Sequence, residues 1–308
     1  MPYVSVIVPT FDRPEFLRAA IRSLLNQTFS NLEAVVVDDG SASDLAPLLD
    51  AFNDGRIRYL RHESNRGEAA ARNTGILNAR GDYLAFLDDD DEWRPDKLQL
   101  QLDLFARSPR EVGCVYGGYV AVRAADGHEL FRRVPSKRGN LAPELMRDNV
   151  MGPTSTVMLT RECIDRVGLC DEEIAYGPDY DLWIRVAQKY HFDFVSDTVV
   201  RYSIHDGQLT GDAARVVKGH ETLMRKYGSA IKPDRRMVAT KYFDLAMQRC
   251  LEGDAANARR AFWKAIRLDP WSARQYVYLA SLSLAGPANA SRLRALIART
   301  RRSRLLIQ

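Results

Sequence analysis

A short apolar segment that ends in four consecutive aspartates constrains the fold of this chain more than any other feature. Tyr83–Leu87 has the length of a buried strand, and the aspartates Asp88–Asp91 follow it directly. Four adjacent carboxylates repel one another, so a strand end carries them only with a compensating charge, such as a divalent cation with oxygen ligands. Because alternate residues of an extended chain point the same way, Asp88 and Asp90 are predicted to share a face. The alternative is a solvated acidic turn before a helix that starts near Pro95.

The first part of the chain alternates between apolar strands and amphipathic helices. Three strands are predicted before Tyr83: Val4–Val8, Leu32–Val37 and Ile57–Leu60. This alternation predicts an α/β fold, with a mostly parallel sheet and helices on both faces. Polar clusters follow three of the four strands, at Thr10–Arg13, Asp38–Ser41 and Asp88–Asp91. Since the carboxyl ends of such strands line one edge of a sheet, we expect the clusters to meet there and form a ligand site.

The region after residue 110 adds further strands and then becomes helical. The predicted elements are a strand at Val112–Tyr116, a hairpin across Gly117–Pro135, a strand at Thr154–Thr160, a helix that begins near Asp179, and strands at Phe192–Val195 and Val199–Ser203. From about residue 213 the apolar residues follow a helical period to the end. We therefore predict a domain at residues 1–212 and a helical appendage at residues 213–308.

Part of this helical region resembles a tetratricopeptide repeat. The second half of a repeat is matched by Ala258, Phe262, Ala265 and Pro270; Tyr242, Leu245 and Ala246 fit its first helix, and Tyr276, Leu279 and Ala280 would begin a second repeat. One and a half repeats are too few for a free-standing solenoid, so a generic helical hairpin is an equally good interpretation. The helical C-terminus also offers a surface through which oligomers could form.

Composition excludes several classes of protein. No apolar run approaches the 18 residues of a membrane-spanning helix, and we expect no signal peptide. The four cysteines are too scattered for a metal motif, so we expect reduced thiols and a cytoplasmic location. The net charge of +4 is small, and we expect no nucleic-acid partner.

The segment Ser291–Gln308 carries a concentrated positive charge. It has no acidic residue and six arginines, at positions 292, 294, 299, 301, 302 and 304. Such a segment suits an anionic surface, so we expect peripheral contact with the inner face of a membrane; a solvated helix face is the common alternative.

Several segments together resemble glycosyltransferase family 2. They occur in the order of the family's motifs: Ser5–Arg13, Leu24–Phe29, Val36–Ser41, Asn65–Gly67 with Ala71–Gly75, and Phe86–Trp93. The resemblance covers roughly residues 3–210 and is most specific over the first 100. It implies the GT-A fold, a UDP-linked sugar donor, Mn²⁺ or Mg²⁺ as cofactor, and inversion at the anomeric carbon. It also implies a nucleotide-sugar half at residues 1–110 and an acceptor half at residues 111–212.

The resemblance also implies roles for single residues at the donor site. The implied nucleotide-binding residues are Pro9, Thr10, Phe11, Asp12, Arg13, Asp39, Arg72, Asp88 and Asp89. Asp39 would face the base, Asp88 the ribose, and Asp89 is expected on the face opposite to Asp88. The implied metal ligands are Asp90, Asp91 and His205. The alternatives are an exposed helix arginine at Arg72 and a loop histidine bonded to backbone at His205.

The second half of the chain resembles the family more loosely. Gly177–Trp183 is similar to the family's Glu-Asp-x-Asp-Leu-Trp segment, with Pro178 in place of the Glu. The resemblance makes Asp179 the catalytic base, with Asp181 as its competitor; helix capping is the alternative role for Asp179. Asp181 and Trp183 are also predicted to bind the acceptor, although a core position is equally compatible with Trp183.

The function that the resemblance implies is sugar transfer to a hydroxyl of a glycan or lipid-linked glycan in bacterial surface glycan synthesis. A nucleotidyltransferase is the first alternative, but it needs a Gly-rich basic loop, and Pro9–Pro14 is not such a loop. No GxGxxG follows the first strand, and the sequence has no GxxxxGK[ST] motif. A non-catalytic interaction module is the second alternative.

Overall fold

The chain divides into two compact units, Met1–Gly207 and Gln208–Gln308. A computed structural model of the protein describes residues 3–205, 208, 212–228 and 235–285. The boundary expected from the sequence, between residues 212 and 213, lies close to this division. The finer division of the first unit into a donor half and an acceptor half stays a prediction.

The described strands of the first unit form one nine-stranded mixed sheet. In chain order they are β1 Val4–Thr10, β2 Leu32–Asp38, β3 Ile57–Arg61, β4 Tyr83–Phe86, β5 Glu92–Trp93, β6 Val112–Arg123, β7 Glu129–Arg133, β8 Met158–Thr160 and β9 His191–Ile204. Their spatial order is β3-β2-β1-β4-β8-β6-β9-β5, and β7 pairs with β6. The first four strands are mutually parallel, whereas β8 runs antiparallel to β4 and β6. The carboxyl ends of β1, β2 and β4 therefore lie at one edge.

Helices cover both faces of this sheet. They are α1 Pro14–Leu25, α2 Ala46–Asp50, α3 Glu68–Asn78, α4 Lys97–Arg107, α5 Ala142–Leu145, α6 Arg161–Val167 and α7 Pro178–Ala187. Every residue of β1 and β2 is buried, which explains why most of their residues are apolar. Gly75 allows α3 to approach β1 closely, because a Cβ atom there would lie 2.5 Å from a methyl carbon of Ile7. This approach brings the start of α3 to the ligand edge of the sheet.

One segment predicted to be extended and one predicted strand have a different local structure. Asp88–Asp91 form a turn closed by the Asp91 amide, which donates to the Asp88 carbonyl at 3.1 Å. The prediction of an extended chain whose alternate aspartates share a face is therefore wrong. The predicted strand Thr154–Thr160 is a 3-10 turn, Thr154–Thr156, followed by the short β8. Hydroxyl side chains compete for backbone hydrogen bonds, which explains why this stretch does not extend a strand.

The second unit is helical where it is described. Its helices are α8 Ala213–Tyr227, α9 Arg235–Leu251, α10 Ala255–Leu268 and α11 Ala273–Ala285. Tyr242 and Ala246 of α9 pack with Ala258, Phe262 and Ala265 of α10 in one apolar cluster. In α11 the buried positions are Gln275, Tyr278 and Leu282, and Leu279 packs partly against the same cluster, whereas Tyr276 is 44% exposed. The second repeat stays a prediction, because residues 286–308 lie outside the described part of the chain.

Two predictions concern contact with a membrane. Among the described helices, none combines the length and the hydropathy that crossing a bilayer requires. The arginine-rich segment Ser291–Gln308 lies outside the described residues, so its expected membrane contact is not tested by the structure.

A buried lysine near the start of α4 has a side-chain amine without a hydrogen-bond partner. Lys97 is 0% exposed, and its Nζ lies 3.8 Å from the centroid of the Trp93 ring without a polar partner. Burial lowers the pKa of Lys97 well below its usual value. The amine is therefore a destabilising group in an otherwise apolar position.

We predict that Lys97→Met raises the free energy of unfolding by about 1–3 kcal/mol, the usual cost of an unpaired buried polar group. The gain should grow as pH falls from about 10, because the unfolded wild-type chain binds a proton that buried Lys97 does not. Urea denaturation at several pH values measures this, with the exposed Lys137→Met as control. A loss of stability in Lys97→Met would contradict this description of the site.

Candidate active site

The loop after β1 contacts the acidic turn, which we define as Asp88–Asp91. The Thr10 hydroxyl donates to Asp89 at 2.7 Å, and the Arg13 guanidinium lies 3.1 Å from the other Asp89 oxygen. Burial and the neighbouring Asp90 charge raise the pKa of Asp89 to about 7, and Arg13 opposes this shift. Asp89 therefore lies against the end of β1, among the residues implied for nucleotide binding.

The predicted base-and-ribose loop presents one exposed ring. Phe11 is 41% exposed, whereas Pro9 is buried within β1. Asp12 has a φ of +54°, and its amide donates to the Ser41 hydroxyl at 2.9 Å. The Asp12 carboxylate in turn accepts from the Ala42 amide at 2.7 Å. These two hydrogen bonds hold the loop after β1, which contains Phe11, against the loop after β2.

Asp90 connects the loop after β1 with the end of β9. Its Oδ2 atom lies 2.9 Å from the Arg13 guanidinium and 3.0 Å from Nε2 of His205. The His205 ring stacks on Phe16 of α1, with centroids 4.5 Å apart. Burial and the Asp88 charge raise the pKa of Asp90, so negative charge here is unfavourable without a cation. His205 thus contacts a carboxylate, and the alternative of a simple backbone-bonded loop histidine does not describe it.

Asp39 organises the segment that precedes α3. Its Oδ1 atom lies 2.7 Å from Nδ1 of His62 and accepts from the Arg66 amide at 2.9 Å. The Gly67 amide donates to Oδ2 at 2.7 Å. A carboxylate has about four acceptor positions, so one position on Oδ2 is left for a further donor. The buried Asp39 can therefore shape this loop and still accept a bond from a ligand.

Arg72 of α3 is buried among three acidic groups. It is 2% exposed, so the alternative of an exposed helix arginine is wrong. Its guanidinium lies 2.7 Å from Asp88 and forms an i,i+4 ion pair with Glu68. Burial lowers the pKa of Arg72, but the charges of Glu68, Asp88 and Asp179 outweigh burial and raise it. Arg72 therefore pairs with Asp88 of the acidic turn, and the charge of the predicted catalytic base Asp179 acts on it as well.

Asp91 faces the protein interior and joins two segments. It is 0% exposed and accepts from the Ser155 hydroxyl at 2.6 Å and from the Ser203 amide at 3.2 Å. The Ser155 hydroxyl also accepts a hydrogen bond from the Asp88 amide at 3.0 Å. Since these contacts fix Asp91 away from the ligand edge, we leave it out of the proposed metal ligands. Its role is to hold the acidic turn against the segment that ends at His205.

Asp179 lies in the first turn of α7 but does not cap the helix. Gly177 occupies the cap position with a left-handed φ of 76°, and no side chain accepts a capping hydrogen bond. The half-buried Asp179 instead accepts a hydrogen bond from the Thr154 hydroxyl at 3.0 Å. Thr154 thus orients this carboxylate. The residue before Asp179 is Pro178, so the acidic residue that the family segment has at that position is absent from this sequence.

The two predicted acceptor-binding residues are buried and must be corrected. Asp181 is 0% exposed and lies 2.9 Å from the Arg185 guanidinium. Trp183 is also 0% exposed, and its ring packs edge-on against Phe86 at 6.2 Å. A side chain without exposed surface cannot stack on a sugar, so neither residue belongs to the proposed acceptor site. The helical spacing of Trp183 was the reliable signal here, since it predicted a core position.

The donor set at the acidic turn fits a divalent cation that shares its ligands with a substrate. Among residues 3–205, 208, 212–228 and 235–285, no group of three or more His, Cys, Asp and Glu side chains forms a complete metal site. Mg²⁺ is usually held by one or two carboxylates, several waters and substrate phosphate oxygens. Asp90 with His205 supplies such a partial set, and the raised pKa of Asp90 reflects a charge that a cation would stabilise.

Sequence reasoning missed residues that hold the site together. These are His62, Glu68, Thr154, Ser155 and Ser203. Glu68 could have been found, because it precedes Arg72 by four residues and the two face each other on a helix. Three consecutive hydroxyl residues at Thr154–Thr156 were also a signal, because such residues favour local turns. The backbone amide of Ser203 leaves no trace in the sequence.

Both a family of proteins and individual relatives match this chain. The family described as "Glycosyl transferase family 2" matches residues 5–167, which is more than half of the chain. A relative from Escherichia coli, "UDP-Glc:alpha-D-GlcNAc-diphosphoundecaprenol beta-1,3-glucosyltransferase WfgD", is 29% identical over 217 residues. That alignment covers 70% of this chain and 82% of the relative.

Solved structures share the fold at low sequence identity. The Staphylococcus aureus protein TarS 1–349 in complex with UDP-GlcNAc is 16% identical with a TM-score of 0.62, over 94% of this chain and 90% of that one. The Pyrobaculum calidifontis mannosyltransferase PcManGT in complex with GDP-Man and Mn²⁺ is 18% identical with a TM-score of 0.57, over 97% and 80%. Because the family match spans more than half of the chain and the fold agrees, this protein belongs to glycosyl transferase family 2 and is a glycosyltransferase with the GT-A fold.

Proposed function

We propose that this glycosyltransferase moves a sugar from a UDP-linked donor to a hydroxyl of a lipid-linked glycan in bacterial surface polysaccharide synthesis, with inversion. One observation carries the proposal: two adjacent residues bond the two sides of the site, because Ser155 contacts Asp88 and Asp91 of the acidic turn and Thr154 contacts Asp179 of α7. The donor-binding cluster and a candidate base therefore adjoin one another. The printed names of WfgD and of the TarS complex support a UDP-sugar donor, and WfgD supports a diphospholipid acceptor.

The donor would be held by groups from three loops. The remaining acceptor position of Asp39 suits the imide N–H of uracil. The exposed ring of Phe11 would contact the nucleotide, since its neighbour Thr10 accepts a backbone hydrogen bond from Asp39. Asp88 is 23% exposed and is kept in place by Arg72, which leaves an oxygen for a ribose hydroxyl. Arg72 also places a permanent positive charge near the donor diphosphate.

Asp90 and His205 would hold the divalent cation. When bound, Mn²⁺ or Mg²⁺ supplies Lewis-acid stabilisation of the charge that develops on the leaving diphosphate. Asp90 is already fixed by Arg13 and His205, so it needs little rearrangement to meet a ligand. The printed name of the PcManGT complex, which contains GDP-Man and Mn²⁺, supports a divalent cation as the cofactor of a transferase with this fold.

Asp179 would act as the general base. Its carboxylate takes the proton of the acceptor hydroxyl while the acceptor oxygen bonds to the anomeric carbon and the bond from that carbon to the diphosphate oxygen breaks. UDP leaves with the electron pair of that bond, and a single displacement inverts the anomeric centre. Thr154 donates to one Asp179 oxygen and so directs the other toward the acceptor. No specific observation favours a nucleotidyltransferase or a non-catalytic module.

We predict that Asp90→Asn weakens UDP binding in the presence of Mn²⁺ by at least about 10-fold, because it removes the carboxylate that would hold the cation. Isothermal titration with UDP, with Mn²⁺ and with EDTA, measures the effect. Asp103→Asn on the exposed face of α4 is the matched control. Equal binding by wild type and Asp90→Asn would count against the proposed metal site.

Asp179→Asn should lower kcat for sugar transfer by about 100- to 10,000-fold, the usual contribution of a general base. UDP binding with Mn²⁺ should stay at the wild-type level, since Asp179 does not hold the nucleotide in this proposal. NMR of the wild-type product should show an anomeric configuration opposite to that of the donor. Full activity in Asp179→Asn, or retention of configuration, would refute this mechanism.

Thr154→Val should lower kcat roughly 10-fold without changing KM for the donor, because one hydrogen bond to the charged base is lost. Thr154→Ser keeps the hydroxyl and should retain most of the activity. Steady-state kinetics of both variants with circular dichroism as a folding check measures the difference. If the two variants lost activity equally, the Thr154 hydroxyl would have no part in orienting Asp179.

A further inference from the structure

The two units of the chain carry opposite net charges. Residues 208–308 contain 20 lysines and arginines against 7 aspartates and glutamates. Residues 1–207 contain 24 against 33. The small net charge of the whole chain therefore hides a strongly basic helical unit. A unit of this kind attracts anionic partners at long range.

A cavity of about 510 Å³ lies in this helical unit between α8, α9 and α10. Its floor is apolar and includes Val217, Leu245 and Ala261. Four cations line it: Lys218, Arg249, Arg260 and Lys264. Its volume falls within the range of about 300–1,000 Å³ that small-molecule pockets occupy. We call this cavity the basic cleft.

The one acidic residue that lines the basic cleft is already neutralised. Glu221 accepts from the Tyr242 hydroxyl and from Nζ of Lys264, which lies 2.7 Å away. Burial raises the pKa of Glu221, but the bonds from Lys264 and Tyr242 outweigh burial and lower it. Lys264 and Glu221 therefore cancel each other and leave the other cations uncompensated by this acid.

Two of these cations are available to a ligand. Lys218 and Arg260 are exposed, and neither forms an ion pair with another residue in the part of the chain that the structure describes. Arg249 is paired with Glu252, which does not line the cleft. Lysine and arginine together are the usual ligands of phosphate groups. The cleft thus combines phosphate-binding groups at its rim with an apolar floor.

We infer that the basic cleft binds an amphiphilic phosphate of the prenyl diphosphate class. The diphosphate contacts Lys218 and Arg260, and the first part of the hydrocarbon chain lies on the floor at Val217, Leu245 and Ala261. A concave cleft with an apolar floor favours such a molecule over a flat anionic membrane, which would need only a charged surface. This inference rests on the proposed function, because it assigns a site to the anchor of the lipid-linked acceptor.

The test is titration of the full chain with farnesyl diphosphate. The protein carries Asp90→Asn and the buffer contains EDTA, so that the donor site does not contribute. We expect binding that is at least about 10-fold weaker in a Lys218→Glu/Arg260→Glu variant. Arg259→Glu/Arg267→Glu is the matched control, because it changes the same charge at exposed α10 residues outside the cleft. That control should bind like the parent protein.

Other outcomes overturn the inference. Equal weakening in both double variants would indicate general electrostatic attraction, as expected for a membrane surface. Pyrophosphate binding as tight as that of farnesyl diphosphate would remove the role of the apolar floor, and absence of binding would remove the site. The proposed function fails separately, if wild type with Mn²⁺ does not bind UDP, and that result leaves the titration of the cleft intact.

Discussion

Buried negative charge at the acidic turn is the constraint on which the rest of the first unit depends. Asp89, Asp90 and Asp91 are each at most 9% exposed. Buried carboxylates are tolerated only when they are paired or hydrogen-bonded, because removing them from water is costly. Here the partners come from distant parts of the chain: Arg13 lies 76 residues from Asp89, and His205 lies 115 residues from Asp90. Neutralising the turn therefore brings the end of β1 and the end of β9 together.

The same interactions prepare the site for its ligands. The buried Arg72 forms an ion pair with Asp88, and the charge of Asp179 also helps to raise the pKa of Arg72. Ser155 fixes Asp88 and Asp91, while its neighbour Thr154 binds Asp179. The Thr154–Thr156 turn thus links the acidic turn to the candidate base through adjacent residues. A site assembled in this way is preorganised, since the groups that stabilise the fold also fix the reactive carboxylates.

Sequence reasoning succeeded where a pattern reports directly on burial. The apolar runs at Val4–Val8 and Leu32–Val37 predicted β1 and β2, because strands covered on both faces lack polar alternation. It failed where long-range contacts decide the conformation. The aspartates form a turn in which Asp91 accepts from both Ser155 and Ser203, and neither partner is visible from the local sequence. For Trp183 the sequence left an acceptor position and a core position open, and the side chain lies in the core, as helical periodicity indicates.

The central claim is that the acidic turn and His205 form the cation and diphosphate site of a glycosyltransferase. Anomalous diffraction from crystals grown with UDP and Mn²⁺ tests it most directly. We expect a manganese peak within bonding distance of an Asp90 oxygen and beside His205, with Asp91 still bonded to Ser155. Manganese held by Asp91, or a UDP complex without manganese near Asp90, would contradict it.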